Sequence, residues 1–245
     1  GESSASWGTN FPKPMISGNP VTAYCAMNAA TDVNGRLIFY VLTTLDRTYV
    51  YDRNNNIVNS WLGSSKEISV VTIDEGVRYH IIAGGKIKAY NLAKNEIIDE
   101  AEIATPGTEL ASGANTFKET VQAVRTFSSS SSCQEGYDAY FVLGNGNGAW
   151  DRTIVRLRYT KAKYGNDISE NNFARTEYNI TTATFGFNYY ISEIDLSDDG
   201  SRLALADLHK IVVFSIDEDG DLELSNTVTS DYYNTNYALG VGGIE

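Results

Sequence analysis

Three stretches of this chain repeat one unit: a glycine-bearing turn, a short apolar strand, a basic-led strand with an aromatic near its end, a polar turn, and a further strand. They occupy residues 35–61 (GRLIFYVLTTLDRTYVYDRNNNIVNSW), 76–100 (GVRYHIIAGGKIKAYNLAKNEIIDE) and 200–226 (GSRLALADLHKIVVFSIDEDGDLELSN). A recurring all-β unit of this size cannot bury its own apolar face, so stacked neighbours must complete the core. The fold class that follows is all-β, a β-propeller. Alternation supports the strands, with Ile87 and Ala89 flanking Lys88, and Ile211 and Val213 flanking Val212. Tyr51, Tyr90 and Phe214 take equivalent places.

A looser fourth copy lies between them, with residues 137–143 (YDAYFVL) and 153–159 (TIVRLRY) as strands and Leu157 as the aromatic's counterpart. The step from Tyr51 to Tyr90 has the length of a typical blade, and the later steps are longer and carry insertions. Four blades are predicted, at about residues 20–62, 67–104, 118–181 and 186–230. Residues 231–245 start a further blade, completed by the two termini or by a partner segment. If the propeller closes within this chain, residues 7–20 pair with that C-terminal strand, because closure removes an open β edge.

The 245 residues suffice for one large β domain, and 16 Tyr and 21 Gly against 4 Pro suit strands and tight turns. A net charge of −12 repels a phosphate backbone or an anionic membrane surface, which argues against nucleic acid as a partner. No apolar run approaches the roughly eighteen residues that a spanning helix needs, so direct membrane insertion is not expected. The chain begins Gly-Glu-Ser-Ser-Ala-Ser, without Met and without a secretory signal, which fits a processed mature end or a recombinant start.

Between residues 18 and 58 the motifs fall in a familiar order: Gly18, Asn19 and Pro20, then Cys25 and Ala26, then Asp32, Gly35, Leu37, Phe39 and Tyr40, then Tyr51, Asp52, Arg53 and Asn54. Residues 195–206 (DLSDDGSRLALA) add a hairpin with Asp198 where Pro is usual. This pattern resembles the N-terminal β-propeller region of large secreted surface proteins of gliding and related Bacteroidetes, associated with the type IX secretion route. The resemblance implies an extracellular or outer-membrane location, further domains of a larger chain, and a structural or adhesive role.

Two cysteines, Cys25 and Cys133, admit a disulfide closing a loop of about a hundred residues, contributing on the order of 4 kcal/mol. The alternative is a small buried Cys25 and a free Cys133 beside the run 128–132 of serines. Asp217, Asp219, Asp221 and Glu223 have a calcium-loop composition, but Gly220 comes too early for an EF-hand and no distal Glu follows. A hairpin turn built on Asp219-Gly220 explains them better. We expect no metal and no cofactor.

Residues 144–151 (GNGNGAWD) form the most distinctive loop, and Asn145, Asn147, Trp150 and Asp151 can stack on and hydrogen-bond a sugar or peptide. The plainer reading is a long hairpin with Trp150 tucked against a neighbouring blade. Both histidines, His80 and His209, lie inside blade patterns, and no Gly-x-Ser-x-Gly appears. The function expected is a non-enzymatic scaffold that binds a protein or glycan at a cell surface. Binding would use the rim loops, including insertions at 128–133 and 163–172. The rival is a propeller hydrolase or lyase with a central-channel site, which requires Arg125, Glu193 and Asp195 to converge.

Overall fold

The computed structural model describes residues 14–21, 24–65, 67–74, 77–102, 121–130, 132–143, 153–162, 173–179, 191, 193–206 and 210–229. Every regular element among them is a strand. After a two-stranded hairpin, β1 (Met15–Ile16) and β2 (Asn19–Pro20), come four antiparallel sheets of four strands, each paired in chain order. Blade 1 comprises β3 (Ala26–Thr31), β4 (Leu37–Thr43), β5 (Arg47–Asp52) and β6 (Ile57–Leu62). Blade 2 comprises β7 (Ser69–Asp74), β8 (Arg78–Ala83), β9 (Lys86–Asn91) and β10 (Glu96–Glu102). Blade 3 comprises β11 (Val121–Ser129), β12 (Gln134–Leu143), β13 (Thr153–Ala162) and β14 (Phe173–Asn179). Blade 4 comprises β15 (Glu193–Leu196), β16 (Arg202–Ala206), β17 (Lys210–Ile216) and β18 (Leu222–Thr229). The chain is thus all-β and built of propeller-type blades.

The chain divides into two compact units, residues 1–100 and 101–245. In the first, alternate residues of β4 face opposite ways. Phe39 and Val41 join Val50, Trp61, Tyr79, Ile81 and Tyr90 in the core between blades 1 and 2. Phe39 meets Tyr79 and Tyr90 edge-on, at centroid distances of 5.2 and 4.8 Å. At one end of this joint the backbones nearly touch. A Cβ on Gly63 would lie 2.2 Å from the Gly84 carbonyl oxygen, so neither position admits a side chain. The Trp61 indole N–H donates to the Ala83 carbonyl at 3.2 Å, and the Lys88 ammonium lies 4.9 Å over its ring.

The other face of blade 1 carries Tyr40, Leu42 and Tyr51, with Val21 and Ile16 packed against them. The Tyr51 hydroxyl donates to the Met15 carbonyl at 3.2 Å. Within residues 7–20, Met15 and Ile16 pair with Pro20 and Asn19. The tight turn at Ser17-Gly18, with φ of 50° and 81°, folds the segment on itself, and the tyrosine face of blade 1 provides its apolar support. Residues 7–13 and 231–245 lie outside the described residues.

Cys25 and Cys133 are both free thiols. The Cys25 thiol donates to the Thr44 carbonyl at 3.4 Å, and the exposed Cys133 sits at the tip of the β11–β12 hairpin with φ 51°. Ser128 and Ser129 belong to β11, paired with Glu135 and Gln134, so the serine run begins as strand.

Candidate functional site

Among the described residues of the second unit, a group of charged and hydroxyl side chains lies on one face of blade 3. Period-two alternation places Asp138, Tyr140 and Val142 of β12 on that face, and register adds Arg158, Arg156 and Ile154 of β13 directly opposite. Arg125 of β11 pairs with Asp138 from the other side. The face is therefore divided. Its apolar end, Tyr140, Val142 and Ile154, packs on Leu203, Leu205, Val212, Phe214 and Ile216 of blade 4. Its other end is ionic.

Asp138 is fully buried and holds that ionic end together. Arg125 donates through Nε to Asp138 Oδ2 at 3.0 Å, and the Arg158 Nε lies 3.8 Å from Oδ1. Burial pushes the Asp138 carboxyl above the ordinary range, against the pull of Arg158, Arg125 and Arg156. Arg158 also stacks on Phe127, 4.1 Å from its centroid. Gly136 gives no side chain beside them, and a Cβ there would lie 1.9 Å from the Tyr159 carbonyl oxygen.

Into this cluster fits the β17–β18 turn of blade 4. Arg125 Nη2 donates to the Asp217 carbonyl at 3.1 Å, Arg158 Nη2 to the Glu218 carbonyl at 3.3 Å, and Arg156 Nη1 to the Asp219 carbonyl at 2.8 Å. Arg158 Nη1 donates to the same Asp219 oxygen. The Tyr140 hydroxyl donates to the Gly220 carbonyl at 2.9 Å. The Asp221 carboxylate lies 2.9 Å from Arg156 Nη1 and accepts from the Tyr178 hydroxyl at 2.6 Å. Burial and that hydrogen bond raise the Tyr178 phenol to about 12, so it stays a donor at neutral pH. Arg125 Nη1 reaches the Gly200 carbonyl at 3.1 Å, so it joins two turns of blade 4.

The acidic run 217–221 is thus a hairpin turn, with the Gly220 amide donating to the Asp217 carbonyl at 3.1 Å and φ 82° at Gly220. Arg125 directs its donors at Asp138 and the two turn carbonyls rather than at Glu193 or Asp195, and Asp195 accepts from the Leu196 amide at 2.8 Å. Asn145, Asn147, Trp150, Asp151 and His209 lie outside the described residues. His80 is buried on β8, and burial, then the charge of Arg78, lowers its pKa to about 3, which suits a core residue.

Sequence reasoning missed Asp138, Arg156, Arg158, Tyr140 and Tyr178 as one group. The signal was present in Arg156-x-Arg158 and Asp138-x-Tyr140, two charged or polar alternations beside the apolar runs of their strands. Only the β12–β13 register shows that the two alternations share a face.

No protein-family model matches the sequence, and neither does any curated protein. Solved structures similar to the chain are propeller-like. One is the periplasmic gluconolactonase PpgL of Pseudomonas aeruginosa, at 14% identity over 83% of this chain and 56% of that one, with a TM-score of 0.43. Another is a complex of the fission yeast SREBP–SCAP binding domains, at 11% identity over 96% and 57%, TM-score 0.44. The WD40 domain of SCAP from fission yeast follows at 8% identity over 89% and 56%, TM-score 0.41. The chain spans a little over half the length of these three structures.

Proposed function

We propose that this chain is a non-enzymatic propeller module that binds a protein or glycan partner through its rim loops. One observation supports this most directly. Arg125, the cation of the three channel candidates, is committed to Asp138 and to the carbonyls of Gly200 and Asp217, so it braces two blades. A group held by three such contacts is poorly free to serve a reaction. Rigid blades with variable rim loops suit recognition, because preorganised loops lose little entropy on binding. On this reading the module works outside the cytoplasm, at a bacterial cell surface and within a longer protein.

The loop at 144–151 is the proposed contact, with Trp150 stacking on a sugar or apolar side chain and Asn145, Asn147 and Asp151 hydrogen-bonding it. The test is a glycan array together with titration of any ligand it identifies. Trp150→Ala is expected to weaken that binding by about tenfold or more with unchanged thermal stability. Binding indifferent to Trp150 and Asp151, or hydrolytic turnover abolished by Glu193→Gln, would overturn the proposal.

A further inference from the structure

Among the described residues one turn geometry joins the third and fourth strands of blades 1, 2 and 4, and the residue at its positive-φ position differs. In blades 1 and 2 that position is Asn55 (φ 70°) and Asn95 (φ 52°), whose amide N–H groups donate to the carbonyls of Asp52 and Leu92. In each, the Asn side chain accepts from a tyrosine hydroxyl, Tyr40 in blade 1 and Tyr90 in blade 2. In blade 4 the position is Gly220. Backbone geometry alone does not demand this, because asparagine tolerates positive φ. Space does. A Cβ on Gly220 would lie 2.7 Å from Asp138 Oδ2 and 2.9 Å from Arg156 Nη1.

The groups around this turn have the composition of an oxyanion site. Arg125, Arg156 and Arg158 face a single buried carboxylate, Asp138, and two tyrosine hydroxyls complete the donor set. Their acceptors on the turn are neutral carbonyls and one carboxylate, that of Asp221. Guanidinium groups bind phosphate and carboxylate more strongly than they bind carbonyls. The turn itself is exposed at Asp217, Glu218, Asp219 and Asp221, with only Gly220 buried. It is a shallow plug over a strongly cationic donor set.

We propose that this face of blade 3 is an oxyanion-binding pocket occupied by the chain's own β17–β18 turn, a latch that lifts without unfolding either sheet. The apolar contacts between blades 3 and 4 hold the rest of the joint, so lifting concerns only the ionic end. Once lifted, the turn takes Asp221 with it and leaves three guanidiniums against one carboxylate. A phosphate or a carboxylate-bearing group would then take the place of the turn's acceptors.

Gly220→Asn isolates the latch, since asparagine keeps the turn conformation seen at Asn55 and Asn95 but places a Cβ where Asp138 and Arg156 stand. The full chain, labelled for side-chain NMR, is compared as wild type and G220N, with inorganic phosphate as the probe. In wild type, the Arg125, Arg156 and Arg158 guanidinium signals are expected to be restrained and indifferent to phosphate. In G220N those of Arg156 and Arg158 should become solvent-like. Amide exchange in β11–β13 and β15–β17 should stay within about tenfold of wild type, and phosphate should shift the arginine signals saturably. Tyr140→Phe, which removes one donor without adding bulk, should raise opening about fivefold. Three outcomes overturn the proposal: collapse of the blade 4 ladder in G220N, guanidinium signals unchanged by it, or the same phosphate response, or none, in both chains.

Discussion

At the scale of single residues, local chemistry decides which substitutions matter. His80 is fully buried, and its lowered pKa means that the folded chain binds its proton less readily than the unfolded chain does. For such a group, stability is fully present above the unfolded pKa near 6.5 and is lost as pH falls from there towards about 3. The loss at pH 5 is roughly 2 kcal/mol relative to neutral pH. Urea unfolding at pH 7 and pH 5 should show this fall in wild type and a smaller one in His80→Gln. Equal falls in both would remove His80 as the cause. Glycines separate in the same way. Gly84, at φ 58°, would place a Cβ 2.6 Å from both the Gly63 carbonyl oxygen and Thr48 Oγ1, whereas Gly35, at φ 73°, would meet nothing within 4 Å. Gly84→Ala is expected to cost about 3 kcal/mol or more, and Gly35→Ala only about 1–2 kcal/mol, read from denaturant midpoints.

At the scale of elements, the sequence was legible where a pattern is local. The turn of residues 197–200 (SDDG) forms with Gly200 at φ 66°, and the Asp199 carboxylate accepts from the Ser201 amide at 3.0 Å. The acidic run 217–221 is likewise the hairpin expected from Asp-Gly. Cross-strand chemistry was not legible, because a one-residue change of register exchanges every side chain between faces. Asp138 illustrates the cost of missing it. Removing a buried carboxylate that faces three arginines leaves those charges unbalanced, so Asp138→Ala should destabilise by about 3–5 kcal/mol. The isosteric Asp138→Asn keeps the shape and an oxygen that accepts from Arg125, so it should cost less. Chemical unfolding of both variants checks this, and an Asn variant as weak as the Ala variant would contradict it.

At the scale of the whole molecule, the far-ultraviolet circular dichroism spectrum should show a single β-type minimum. Paired helical minima would contradict an all-β chain in which every regular element among the described residues is a strand. The sequence by itself determined the fold class. Period-two apolar residues, glycine and Asx turns and the recurrence of one unit are local features, and each constrains strands and hairpins without reference to distant residues. It also placed His80 inside a blade strand. Tertiary structure alone decided that Met15–Ile16 returns upon Asn19–Pro20, that the cysteines stay free, and that one end of blade 3 is an ionic seat for a turn some sixty residues or more away in the chain. Those outcomes depend on register and on which surfaces meet. The energy of a buried carboxylate or a guanidinium fork is set by partners that the linear order of residues does not bring together.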